Sequence, residues 1–315
     1  SIYDKGFLNR VVIDEVHCIS EWGHDFRTAY LNLASTIKKF GPEVQVTCLT
    51  ATASVKVIED IKIEFELERD DISYHMDNSR EELHFQLYKS ENKLEYLENI
   101  LKNRYEAGNI SNQSPFIVFC QTVDKKTLGV TDVTDRARKT FPSLNIGSFT
   151  GSRPKKWIPN LEFESIGETA RNTNGYDAYK EAVQRRFKAN KLAGIVATKS
   201  FGMGVNKPNV RLTIHNGLPA SMEALYQEAG RAGRDQKPAD CITIFTPEKH
   251  VPEKLHEPNV GLEELTKIFN EMPRNGGDLN QQLYFLTDNN KTIETELEEC
   301  ASVLSSLREK GAEGF

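Results

Sequence analysis

Val11-Val12-Ile13-Asp14-Glu15-Val16-His17 sets three consecutive β-branched residues directly before two carboxylates. β-branched side chains suit a pleated strand, where their restricted χ1 costs little. The run therefore reads as a short buried strand whose carboxyl end carries Asp14 and Glu15. Similar apolar runs recur at 44–49, 116–119, 195–196, 212–214 and 242–245, with helical stretches at 53–65, 93–105, 131–140 and 176–189. Short continuous apolar strands alternating with helices predict an α/β fold of parallel sheets.

In an open parallel sheet the carboxyl ends of the strands form the ligand crevice. Neighbouring residues on a strand point to opposite faces, but a turn at the strand end can bring both acids to one site. Asp14 is then expected to hold Mg²⁺ through water, and Glu15 to polarise an attacking water. Taken alone, Asp-Glu after an apolar run also fits an ordinary strand-to-loop transition.

A second constellation is Gln227-Glu228-Ala229-Gly230-Arg231-Ala232-Gly233-Arg234-Asp235. Arg231 and Arg234 stand three apart after a helical start at 221–225, so both guanidiniums are expected to leave one helix face. Two always-charged forks suit a triphosphate, and the glycines permit close approach to the backbone. The competing reading is an exposed, arginine-bearing helix end.

The 315 residues, 38% hydrophobic and 27% charged, describe a soluble globular chain with room for two domains. There is no apolar stretch of membrane-spanning length and no signal-peptide pattern, so an intracellular location, in cytoplasm, nucleoid or nucleus, is expected without a membrane partner. A net charge of −6 leaves phosphate binding to local patches. The five cysteines are scattered without CxxC spacing, and the spacing of His17 and His24 does not suit a metal, so no zinc is expected. A polar stretch at 70–82 reads as a linker, 151–175 as a long surface loop or insertion, and the region after Pro247 as a helical tail with helices at 261–271 and 293–310. The expected domains are 1–76, 83–247 and 248–315.

Asp14-Glu15-Val16-His17, the aromatic stretch from Ser20 through Trp22 and Phe26 to Arg27, Leu49-Thr50-Ala51-Thr52-Ala53, the block 197–210 and the Gly/Arg motif together resemble the RecQ family of superfamily 2 DNA helicases in order and rough spacing. The resemblance runs from about residue 7 to residue 247. It implies RecA-like sheets, with one complete helicase C-terminal domain and the second half of the N-terminal RecA-like domain. Asp14, Glu15 and His17 match the DExH box, which handles Mg²⁺ and water activation. Trp22, Phe26 and Arg27 match the loop that senses single-stranded DNA, and Thr50 and Thr52 the threonines that couple nucleotide to DNA. Gly202, Met203, Gly204, Asn206 and Lys207 match the fifth motif, at a nucleic-acid and nucleotide face. Gln227, Arg231 and Arg234 match the sixth, whose arginines reach the γ-phosphate across a domain cleft.

The residues themselves leave alternatives. Exposed aromatics make a base-stacking platform, yet Trp22 and Phe26 also suit anchors in a core. Thr50 and Thr52 also fit a strand end, and 202–204 a plain tight turn.

The sequence also departs from the family. No GxxxxGK[ST] phosphate loop occurs, and beyond Pro247 a four-cysteine zinc module is excluded because Cys300 stands alone there. The chain is therefore expected to be part of an ATP-dependent DNA helicase using ATP and Mg²⁺ on single-stranded and duplex DNA, and to be inactive by itself. The resemblance implies 3′-to-5′ movement and roles in DNA repair and recombination. The alternatives are a non-catalytic nucleic-acid-binding or scaffolding protein with a degenerate helicase core and, more remotely, a metal-dependent nuclease using Asp14, Glu15 and His24.

Overall fold

The computed structural model describes residues 8–19, 33–41, 43–50, 55–73, 79–126, 128–168, 175–201, 205–247, 251–256, 260–272, 277–280 and 282–283. The described residues form two compact units, 8–73 and 79–283.

In the first unit, β1 (Arg10–Ile13) pairs in parallel with β2 (Gln45–Cys48), Arg10 opposite Gln45 and Ile13 opposite Cys48. Parallel neighbours need a crossover, and α1 (Leu33–Lys38) lies in the connection. Helix α2 (Val55–Phe65) follows β2. Its Val57, Ile61 and Phe65 recur at four-residue spacing and so share one face, which packs with Ile13, Val16, Ile19 and Ile37.

The second unit holds β3 (Leu83–Lys89), α3 (Lys93–Glu106), β4 (Phe116–Cys120), α4 (Val130–Thr140), β5 (Ile146–Phe149), α5 (Pro159–Ser165), α6 (Gly175–Lys188), β6 (Gly194–Ala197), β7 (Leu212–Asn216), α7 (Met222–Ala229), β8 (Ala239–Phe245) and α8 (Leu262–Glu271). Its six strands are all parallel in the order β3-β8-β7-β4-β6-β5.

Strand β4 shows how the sheet divides the core. Phe116, Val118 and Cys120 pack with Leu97 and Leu101 of α3 and with Val130, Val133 and Ala137 of α4. Ile117 and Phe119 join Phe163, Tyr179, Val183 and Phe187 on the opposite face. This two-residue alternation, with helices on both faces, explains why β4 is apolar throughout.

Two expectations differ from the structure. The stretch 151–175 is not simply a surface loop, because it contains α5, which starts on Pro159 and buries Phe163. Trp157 and Ile166 are buried beside it. Glu162 in α5 accepts from both terminal nitrogens of Arg138, at 3.1 and 3.0 Å, and from the Tyr179 hydroxyl at 2.9 Å. The large apolar residues of this stretch, Trp157, Ile158, Leu161, Phe163 and Ile166, cluster between polar flanks rich in Gly, Pro and Asn, and those flanks hide the packing.

The second difference concerns the tail. Residues 251–283 belong to the same compact unit as the six-stranded sheet. Asp278 accepts from Lys93 Nζ at 2.5 Å and from the Thr246 amide at 2.7 Å, and both charged partners are buried. Gln282 donates to the carbonyls of Leu218 and Pro219, at 2.9 and 2.7 Å.

Candidate functional site

The described candidate residues fall on both units, and each group is built by its own local structure.

In the first unit, β1 ends on the buried Ile13 and the chain turns sharply. Glu15 has φ +52°, and its amide donates to Asp14 Oδ1 at 2.9 Å. A left-handed conformation costs a non-glycine residue roughly 1–2 kcal/mol and persists where its surroundings impose it. Here the Val16 amide donates to the Leu49 carbonyl at 3.0 Å, and the Leu49 amide to the Ile13 carbonyl at 2.8 Å. The turn breaks strand alternation and leaves Asp14 and Glu15 both exposed at one strand end.

His17 is 4% exposed. Its Nδ1 lies 2.8 Å from the Thr50 hydroxyl and 3.3 Å from Glu15 Oε2. With its hydrogen on Nδ1 the ring can donate to either oxygen; with Nδ1 bare it accepts from the Thr50 hydroxyl. The imidazole thus joins the acidic turn after β1 to the exposed Thr50 after β2.

Among the described residues no group of three or more His, Cys, Asp or Glu is placed to hold a metal ion. Two neighbouring exposed carboxylates do fit Mg²⁺, which keeps several waters and leans on substrate phosphates rather than on an all-protein cage.

In the second unit, α7 stops at Ala229, and the Gly230 amide closes its last turn on the Tyr226 carbonyl at 2.8 Å. Arg231 and Arg234 lie in the turn beyond, so the expectation that both leave one helix face is corrected. The turn itself is fixed by close approach: Gly233 has φ +59°, and a Cβ there would stand 2.9 Å from Glu82 Cγ. Its amide donates to the Val210 carbonyl at 3.0 Å.

Arg234 Nη1 donates to the Val205 carbonyl at 3.2 Å and to Asn206 Oδ1 at 3.4 Å, while its Nε reaches the Gly230 carbonyl at 3.3 Å. This brings Asn206 and Arg234 together. Gln227 and Arg231 are half-buried nearby in sequence. The segments 205–211 and 230–238 each precede a strand, so this cluster sits at the amino edge of the parallel sheet.

Behind the arginines lies a pair that the sequence reading missed. Glu228 Oε2 and His215 Nε2 are 3.3 Å apart, and the imidazole stacks on Phe119 with ring centres 5.4 Å apart. Burial pushes the Glu228 carboxyl up to about 7, opposed by the positive charges of Arg231 and Lys199. Burial also pushes His215 down to about 4. Despite the short distance, neither ring nitrogen makes an aligned hydrogen bond, so near neutrality this is a polar contact to a neutral imidazole, not an ion pair. Glu228 was legible as the acid inside the Gly/Arg motif; His215 gave no signal within its apolar strand.

Lys207 departs from its expected DNA contact. It is 3% exposed, its ammonium donates to Asn190 Oδ1, and it lies 5.6 Å from the centre of the Phe187 ring. Burial holds its pKa below the usual lysine range. An acceptor far back in sequence turned the side chain inward. Trp22, Phe26, Arg27, Thr52 and Gly204 lie outside the described residues.

The profile of the helicase conserved C-terminal domain matches residues 176–236, which span α6 through the arginine turn. The ATP-dependent DNA helicase RecQ of Bacillus subtilis (strain 168) is 33% identical over 239 residues, 76% of this chain and 34% of its own length. ATP-dependent DNA helicase Q1 of Pongo abelii is 33% identical over 244 residues, 77% of this chain and 32% of its own. This chain thus spans about a third of the length of these two curated relatives. Among solved structures, Mss116p bound to ssRNA and AMP-PNP matches with a TM-score of 0.54 at 15% identity, over 85% of this chain and 56% of that one. The helicase MrfA bound to DNA and AMPPNP matches at 0.51 and 16%, over 92% and 38%. At these identities the two structures establish a shared fold.

Proposed function

Because the chain belongs to the RecQ family of superfamily 2 helicases, we propose that the complete protein is an ATP-dependent DNA helicase, coupling ATP hydrolysis to movement along single-stranded DNA and to duplex unwinding. The observation that carries this reading is the left-handed turn at Glu15, which sets two exposed carboxylates at one strand end and ties them through His17 to Thr50. The polarity is 3′ to 5′, as the family resemblance implies.

Bound Mg²⁺ supplies charge neutralisation on the phosphates of ATP. Asp14 would hold that ion, and Glu15 would orient the attacking water and draw off its proton. His17 keeps the Glu15 carboxylate in place and passes its position on to Thr50. Arg231 and Arg234 offset the charge that builds on the transferring phosphoryl group. DNA is the partner to which Thr50 couples the site, and the family resemblance assigns Trp22, Phe26, Arg27 and Thr52 to its contacts. A non-catalytic scaffold would have no use for a strained acidic turn and an arginine cluster together.

The test is steady-state ATPase of the complete protein with and without single-stranded DNA. Wild type turns over faster with DNA, and Glu15→Gln binds a fluorescent ATP analogue yet hydrolyses about 10²–10⁴-fold more slowly. Wild type without DNA-stimulated turnover, or Glu15→Gln at the wild-type rate, would overturn the reading.

A further inference from the structure

Just after the division between the units stands an arginine outside every motif considered so far. Arg80 Nη1 donates to the Gly230 carbonyl at 3.3 Å and Nη2 to the Ala232 carbonyl at 2.8 Å. Its Nε donates to Glu82, whose carboxyl is held below the ordinary carboxylate range mainly by that bond. The Gly230 carbonyl belongs to the peptide entering Arg231, and the Ala232 carbonyl to the second peptide after it.

A single planar guanidinium therefore grips the main chain on both sides of Arg231. Glu82, the partner of Arg80, also packs against Gly233, and its own carbonyl accepts from the Ala239 amide at 2.8 Å. The charge of Arg80 is close enough to Arg234 to help depress its pKa, after burial. The turn bearing Arg231 and Arg234 is thus held by residues about 150 positions earlier in the chain.

We propose that Arg80 is a positioning residue for hydrolysis, setting the main chain from which Arg231 and Arg234 reach the phosphates. The inference rests on the functional reading above. It needs the fork of a guanidinium, because only a planar group with several fixed donors spans two carbonyls and a carboxylate at once. A lysine ammonium keeps the charge but not that geometry. Misplacing a charge-stabilising group by about 1 Å costs on the order of 100-fold in rate, so a clamp that touches no substrate can control turnover.

The complete protein is compared as wild type, Arg80→Ala and Arg80→Lys. Three readouts are taken: ATPase kcat and KM with saturating single-stranded DNA, thermal midpoint, and hydrogen exchange of peptides covering 228–238. Both variants are expected to lose roughly 10–100-fold in kcat with KM for ATP changed by less than about threefold. Exchange across 228–238 rises in both, while the thermal midpoint of Arg80→Lys stays near wild type. Where Arg80→Ala fails to fold, Arg80→Lys decides.

Full rescue by lysine would show that charge and not the fork matters, overturning the proposal. So would unchanged kcat and unchanged exchange in Arg80→Lys. The exchange readout does not depend on activity. A wild type that hydrolyses no ATP thus defeats the functional reading, whereas an active wild type with indifferent Arg80 variants defeats the clamp alone.

Discussion

His17 Nδ1 and the Thr50 hydroxyl lie 2.8 Å apart, and the same nitrogen is 3.3 Å from Glu15 Oε2, so one imidazole links the ends of two adjacent strands. Removing the hydroxyl should uncouple the ends without dismantling either, because Thr50 is exposed and its methyl group survives in valine. Thr50→Val loses one hydrogen bond to a side chain, roughly 0.5–1.5 kcal/mol. The expected result in the complete protein is a drop of about three- to tenfold in DNA-stimulated ATPase, with basal turnover nearly unchanged. Equal losses of basal and stimulated rates would place His17 and Thr50 in the chemistry rather than in the coupling.

Lys207 offers a sharper contrast, since the sequence points it at DNA and the structure points it at Asn190 and Phe187. A phosphate contact contributes about one unit to the slope of log affinity against log salt. Lys207→Met should leave that slope for single-stranded DNA unchanged and lower the thermal midpoint instead. A slope reduced by about one would restore the DNA contact.

The Lys93–Asp278 pair ties the segment after α8 to the start of α3. Taking away one member of a buried pair strands the other charge, at a cost of about 3–5 kcal/mol. Lys93→Met is therefore expected to be severely destabilised in denaturant unfolding. Adding Asp278→Asn should recover most of the loss, because the amide oxygen still accepts from the Thr246 amide while the stranded charge is gone. Additive rather than compensating effects would mean that the pair does not act as a unit.

What the sequence revealed and what it hid follow from where each residue sits. Strands β4, β6, β7 and β8 are interior, with both faces covered, so their apolar runs stood out and were read directly. The two strands that escaped, β3 and β5, are the edges of that sheet. Strand β3 leaves Phe85 and Leu87 exposed and interleaves His84 and Gln86, while Gly147 and Ser148 interrupt β5. In β3 the missing cover, and in β5 a glycine and a serine inside a fully buried strand, break the continuous hydrophobic signature. The same logic governs the site. Asp14, Glu15 and the Gly/Arg turn could be proposed from the sequence because each motif is contiguous in it. Arg80, His215 and Asp278 act through partners brought together only by folding, and nothing in their neighbours announces them.

Glu228 gives the remaining expectation, on pH. Burial raises its carboxyl from 4.5 to about 7. A raised folded-state value means that this group's contribution to stability is complete below the unfolded value of 4.5 and is lost as pH rises through about 7. His215 works in the opposite sense, since its value falls from 6.5 to about 4, so its contribution is complete above 6.5 and is lost as pH falls through about 4. Between these limits the two slopes oppose each other and flatten the wild-type curve. Glu228→Gln removes one of them while keeping size and polarity. Urea unfolding from pH 4.5 to 8 should therefore show the wild type losing stability relative to Glu228→Gln as pH rises, with the difference levelling off above about pH 7. A difference independent of pH would mean that Glu228 ionises in the folded protein as readily as in the unfolded chain. Its position behind Arg231 would then rest on charge attraction from Arg231 and Lys199 strong enough to cancel its burial.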